Sequence, residues 1–282
     1  MRRHHTLLTL GIATALLSLT PVVAAQESAP EPPAAPWPPV TLPDGQPDIQ
    51  GVWRPVIGGT QSLNPAMSSG QFFEELVTGV REDRPSRIVD PEDGSIPYQP
   101  WAAALQQELE AAYQSPTRPE HIDTQTRCFV PGVPRLLYIP TSLRILQPPG
   151  STVFVWEQYH AYRVIPLDER PHVSPRIKLW SGDGRGRWEG NTLVVDTRNL
   201  NAKSRLDVIG DFFSDQAHVL ERYVFVDGST MHYEATITDP TVFTRPWTMR
   251  VEQGREPELE FWEYACHEGE RDAGQTSSQF DN

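Results

Sequence analysis

His218-Val219-Leu220-Glu221-Arg222-Tyr223-Val224-Phe225-Val226-Asp227-Gly228-Ser229-Thr230-Met231-His232-Tyr233-Glu234-Ala235-Thr236-Ile237-Thr238 carries the strongest β signal in the chain. Two runs of alternating apolar and polar residues flank an Asp-Gly turn signal, which predicts a β-hairpin. A two-residue turn would set Glu221 against Glu234, and opposed carboxylates repel. A three-residue loop, Asp227 to Ser229, shifts the pairing by one and sets Arg222 against Glu234. The other face then collects Val219, Glu221, Tyr223, Phe225, Met231, Tyr233, Ala235 and Ile237. Charge and apolar pattern agree only in this register.

Further candidate strands cover 142–146, 152–158, 162–166, 187–188, 192–196, 247–253 and 259–266, with an opening strand at 49–53. Gly190-Asn191, Asp227-Gly228 and Gly254 punctuate them. The short spacings favour an antiparallel meander over βαβ units. So many strands in one run need closure or a second sheet. The expected fold is mainly β, an antiparallel meander closing into a barrel or sandwich, with a loop-rich N-terminal part carrying short helices. Gly51-Val52-Trp53 is similar to the G-x-W of lipocalins, which implies a calycin-like barrel. Helices are predicted at 71–80 and 101–113. Pro100 sits well as the first helical residue, and Trp101, Leu105, Leu109 and Ala112 recur at helical spacing.

Residues 1–25 read as a cleavable signal peptide: Arg2 and Arg3, an apolar run from Leu7 to Val23, then Val23-Ala24-Ala25. After its removal nothing is left to insert in a membrane, so the expected location is periplasmic or secreted. Residues 26–47 are a Pro-rich linker, 48–268 a single domain and 269–282 a flexible tail. Cys128 and Cys266 are the two cysteines. In an oxidising compartment they can bridge, tying an expected last strand to mid-chain and stabilising by about 3–5 kcal/mol. The net charge of −13 argues against nucleic acid or an anionic membrane surface as a partner and disfavours polyanionic substrates unless a local basic pocket exists.

Glu221 stands on an otherwise apolar face. Glu157 follows Val153 and Val155 at period two, and Glu263 follows Leu259 and Phe261 in the same way. Such carboxylates form internal ion pairs, for example Glu157 with Arg163 or Glu221 with a neighbouring arginine. Otherwise burial raises their pKa toward neutrality, where they can move protons. His160 lies between Glu157 and Arg163, and His218 opens the strand of Glu221 and Arg222. The expected site is therefore Glu157, His160, Arg163, His218, Glu221 and Arg222, the arginines holding an oxyanion. On this reading the protein is a secreted lyase, isomerase or hydrolase acting on a small polar or aromatic substrate. One alternative is a non-catalytic small-ligand-binding barrel, its pocket lined from Trp156, Trp180, Trp188, Trp247 and Trp262. Another is a metal-dependent enzyme using His232 and Glu234, with His218 from the partner strand. Gly182-Asp183-Gly184-Arg185-Gly186-Arg187 reads as a flexible turn, since it lacks the G-K-[ST] ending of a phosphate loop. No H-E-x-x-H, C-x-x-C or G-x-S-x-G occurs, and the residues name neither a cofactor nor an oligomeric state.

Several stretches together carry a family likeness. They are Pro97-Tyr98-Gln99-Pro100-Trp101-Ala102, Arg127-Cys128, Pro131-Gly132-Val133-Pro134-Arg135, Trp188-Glu189-Gly190-Asn191-Thr192-Leu193-Val194-Val195-Asp196-Thr197, His218-Val219-Leu220-Glu221-Arg222, Asp239-Pro240, Arg245-Pro246-Trp247-Thr248 and Glu263-Tyr264-Ala265-Cys266-His267-Glu268. The chain resembles a family of exported bacterial proteins with a W-E-G-D-T-L-V-V-D-T run, over about residues 48–268. Asn191 replaces the Asp of that run. The resemblance implies export and a β-rich domain, and it assigns no reaction.

Overall fold

The computed structural model describes residues 40–67, 69–79, 84–264 and 266. The expected leader, Trp37 and the tail lie outside them. In chain order the elements are β1 (Gly51–Pro55), β2 (Ser62–Leu63), β3 (Ala66–Met67), α1 (Ser69–Thr78), β4 (Ile88–Asp90) and α2 (Pro100–Ala112). They continue with β5 (Leu143–Leu146), β6 (Ser151–Trp156), β7 (Tyr162–Pro166), β8 (Asp183–Glu189), β9 (Thr192–Arg198), β10 (His218–Phe225), β11 (Thr230–Thr238) and β12 (Trp247–Arg255).

Nine strands run in the order β7-β6-β5-β1-β12-β11-β10-β9-β8, every neighbouring pair antiparallel. From β5 onward this is a meander that β1 completes by sitting between β12 and β5. The result is a nearly closed nine-stranded antiparallel barrel, not a sandwich. β4 pairs with the start of β12, and β2 with β3 forms a separate ribbon. The loop-rich half is thus an excursion between two neighbouring barrel strands.

The hairpin pairs in the three-residue-loop register. Arg222 lies opposite Glu234 and Phe225 opposite Met231. Its inward face is buried throughout, Glu221 included. Trp53, Phe154, Trp156, Tyr223, Phe225, Tyr233 and Trp247 fill the interior. Phe154 stacks on Tyr223 at 4.9 Å and Trp53 meets Phe225 edge-on at 5.6 Å between ring centroids. Packing of this kind contributes the apolar burial that stabilises a barrel.

Closure fails only between β7 and β8, where 167–182 intervene. Side chains interlock there in place of backbone hydrogen bonds. A Cβ at Gly184 would lie 2.7 Å from Ile165 Cδ1 and 3.1 Å from Arg163 Nη2. One at Gly186 would lie 2.7 Å from both Ile165 and Leu167. The glycines therefore make room for inward side chains of β7. This corrects the sequence expectation of a flexible turn at 182–187: only Gly182 turns, and the rest is strand.

Three other expectations are corrected. No strand forms over 259–264, because β12 already has β11 on one side and β1 with β4 on the other. Cys266 still bonds Cys128, but from outside the sheet. On β6 the buried face is Thr152, Phe154 and Trp156, so Val153 and Val155 point outward; the larger aromatic residues claim the core, and Glu157 comes after the strand in a helical conformation, off the expected face. On α2, Ala102 and Leu109 are buried, whereas Trp101 is half exposed and donates its indole N–H to Thr241 O at 3.1 Å. Residues 40–47 fold back on the barrel, with Thr41 bridged to Pro47 and Gln46 buried.

Candidate functional site

Of the six residues singled out in the sequence, the fold brings Arg163 and Glu221 together inside the barrel. Strand alternation puts both inward, from β7 and β10. Arg163 Nη1 donates to Glu221 Oε2 at 3.0 Å and Nη2 to Oε1 at 2.8 Å, a bidentate pair. Nη2 also donates to Thr197 Oγ1 at 2.9 Å. Tyr223 and Tyr233 hydroxyls donate to Oε2 at 2.9 and 3.0 Å, and the Thr197 hydroxyl donates to Oε1. Glu221 thus takes five donors with its side chain wholly buried. Burial works against the Arg163 guanidinium, but Glu221 beside it more than compensates and raises its pKa. Burial first, and Glu221 second, push the Tyr223 and Tyr233 hydroxyls well above the ordinary value. This is the internal ion pair of the two sequence alternatives, a network with all its charges matched.

The other four lie apart from it. Glu157 accepts the backbone N–H of Ser142 at 2.9 Å and of Trp262 at 2.8 Å, tying the C-terminal segment to the barrel. His160 is exposed and sits 3.8 Å from Glu263. His218 Nε2 meets Asp196 Oδ1 at 3.1 Å on the outer wall. Arg222 points outward to Glu189 at 3.1 Å. The expected convergence of Glu157, His160, His218 and Arg222 on Glu221 therefore does not form: alternation along β10 turns His218 and Arg222 away from the face of Glu221, and Glu157 and His160 lie in the segment between β6 and β7 with partners of their own. His232 and Glu234 share the outer face but have separate partners, Glu252 at 3.8 Å and Arg250 at 2.7 Å. Among the described residues no group of three or more His, Cys, Asp or Glu is arranged to hold a metal.

A cleft of about 380 Å³ opens along the seam between β7 and β8. Tyr162, Val164, Leu179 and Trp180 give it an apolar wall, and His160 and Arg163 reach it from the strand ends. Tyr162 is 70% and Val164 52% exposed, unusual for apolar side chains on one short strand. Trp180 stacks on Phe129 at 5.2 Å, and Phe129 follows the disulfide-bonded Cys128. At the cleft's far end Asp183 accepts from His172 Nδ1 at 2.9 Å and from Arg185 at 2.6 Å. His172 Nε2 reaches Asp196 at 3.2 Å, so it clips the 167–182 loop to the barrel wall. Burial alone would raise Asp196; the Arg198 hydrogen bond, then His218 and His172, hold it below the usual carboxylate range.

A third constellation lies in the excursion. Asp207 Oδ1 accepts the backbone N–H groups of Gly210 and Asp211, both at 2.9 Å, and Tyr98 donates to Asp211 at 3.0 Å. Burial, then the Asp211 carboxylate, push Asp207 well above its ordinary pKa. A cleft of about 460 Å³ opens beside Tyr98 and Asp211. Asp183, Asp196, His172, Asp207 and Asp211 carry no periodic signal, which is why sequence patterns did not single them out. Only the Asp-Gly spacing of Asp207 and Gly210 hinted at a side-chain-capped turn.

Neither a family model nor a curated protein matches the sequence. Among solved structures, the chain is similar to a point variant of the fluorescent protein UnaG. Identity is 17%, covering 42% of this chain and 73% of that one, at a TM-score of 0.25. The barrel assignment rests on the strand pairing above.

Proposed function

We propose that this chain is a small-ligand-binding β-barrel module that works outside the cytoplasm. The observation that carries the reading is the seam cleft. It lies where the barrel's hydrogen bonding stops, and it keeps Tyr162, Val164 and Leu179 in water beside Trp180. Exposed apolar side chains around a concave surface are the usual mark of a binding site. The barrel interior is taken up by large side chains and the Arg163–Glu221 network, so the ligand sits in the wall, not in the lumen. The signal-like start and the Cys128–Cys266 bridge support export.

An acid–base role for Glu221 is the weaker reading. Its two oxygens already take five donors, and proton transfer would leave the Arg163 charge uncompensated. A small-molecule thermal-shift screen on untagged protein, with native mass spectrometry for co-purified adducts, tests the proposal. Stabilising compounds whose effect disappears in Tyr162→Ser/Val164→Ser are the expected result. A bare mass together with an empty screen would overturn it.

A further inference from the structure

A second and larger cleft, of about 650 Å³, shares Trp180 with the seam cleft. Its walls are Leu105 and Leu109 of α2, Ile122, Phe129, Trp180 and Phe212. Arg118, Arg127, Lys203 and Arg205 also line it, against a single acidic residue, Glu120. In a chain of net charge −13 that concentration of cations is a local reversal of sign.

The pairing state of these cations matters more than their number. Arg118 is committed to Glu108 and His121. Among the described residues Arg127 and Arg205 have no carboxylate within ion-pair distance. Arg205 donates to the backbone carbonyls of Glu120 and His121. Burial lowers its pKa, and Asp123 offsets only part of that effect. Arg127 lies over the Phe129 ring at 5.5 Å, and its Nε is buried without a hydrogen bond. Ser204 is 1% exposed, and its hydroxyl also lacks a partner, as does that of Thr124. Buried donors are normally satisfied, so unmet ones gathered around one cleft point to a missing acceptor. Cys128, bonded to Cys266, sits between Arg127 and Phe129 and fixes both.

We infer that this cleft binds a small aryl oxyanion, its carboxylate or phosphate between Arg127 and Arg205 within reach of Ser204, its ring against Phe129 and Trp180. The chemistry is complementary: a planar guanidinium pairs with an oxyanion in a fork, and the aromatic wall excludes water from the pair. The inference deepens the ligand-binding reading by naming a separate site and a ligand class.

The test is equilibrium binding of benzoate, phenyl phosphate, inorganic phosphate and benzamide, followed by calorimetry and by tryptophan fluorescence with Trp180→Phe as the control. Benzoate or phenyl phosphate is expected to bind, and which binds tighter identifies the oxyanion. Added salt should weaken the binding. Benzamide, which keeps the ring and loses the charge, should bind at least about tenfold more weakly. Arg127→Gln/Arg205→Gln should cost about tenfold or more, and Arg127→Lys less than Arg127→Gln. Ser204→Ala removes only a hydroxyl and should weaken binding in a protein that folds as before. Benzamide binding as tightly as benzoate, or undiminished binding in both the double variant and Ser204→Ala, would overturn the charge argument. Inorganic phosphate binding as tightly as phenyl phosphate would overturn the aryl part. A screen hit that needs Tyr162 and Val164, with no aryl oxyanion bound, would sink this inference and leave the seam reading standing.

Discussion

Arginine is handled in opposite ways in the barrel interior and in the larger cleft beside Trp180. Arg163 is buried and paired, donating twice to Glu221 and once to Thr197. Arg127 and Arg205 are only partly buried, yet among the described residues no carboxylate lies within ion-pair distance of them. The interior pair is surrounded by tyrosines that also point at Glu221, so nothing is left for a ligand. The difference separates charge matched inside the fold from charge left without a counter-charge beside a cleft. A matched buried pair stabilises one packing arrangement, whereas unmatched cations beside an open cleft keep their binding capacity for something else.

The interior half of this contrast is the easiest to break. Glu221→Gln leaves the Arg163 charge buried without its counter-charge, and urea unfolding should show a loss of about 3–5 kcal/mol. Arg163→Met/Glu221→Leu should recover most of that loss, because both desolvated charges go together. A single variant that unfolds like the native protein would show that the network is not structural.

Next in size is the seam. Gly186→Val drives a side chain into Ile165 and Leu167, and the expected cost is about 1–3 kcal/mol. Gly254→Ala, with nothing within 4 Å of the added carbon, is the matched control and should cost far less. Equal effects would mean that the β7–β8 interlock contributes little to closure.

Asp207 sharpens the contrast from the acidic side. Its folded pKa lies above the ordinary carboxylate value, so the native state holds a proton that the unfolded chain releases. Its contribution is complete below about pH 4 and is lost as pH rises through the folded pKa. Asp207→Asn should therefore gain stability relative to the native protein as pH rises above about 4, the ordinary carboxylate value. Parallel urea midpoints over that range would contradict a protonated Asp207. The smallest effect is expected in the basic cleft. Arg127→Gln breaks no ion pair and should shift stability by no more than about 1 kcal/mol, the size of its contact with Phe129. A loss as large as that of Glu221→Gln would mean that Arg127 is structural too.

The β10–β11 hairpin shows how far local pattern reaches. Its register follows from charge and alternation within twenty-one residues, and that register alone puts Glu221 inside and Arg222 outside. The partner of Glu221 could not be read the same way. Arg163 lies 58 residues away on a strand with which β10 makes no hydrogen bonds. Only the curvature that nearly closes the sheet carries it across the lumen. Likewise Glu157 looked buried because it followed two valines, but Phe154 and Trp156 on the other face bury more surface and settle the strand's orientation.

By itself, the sequence determined the mainly β class, the hairpin register, the two main helices and a cysteine pair able to bridge. Each depends on interactions within a few residues or on there being only two thiols to join. Which distant elements meet decided that glycines at 184 and 186 serve a seam, that the arginines at 163 and 127 have opposite surroundings, and that one cleft opens at the β7–β8 seam and another beside α2. Those outcomes depend on which distant strands meet, and periodicity along one chain segment does not encode the partner across a barrel.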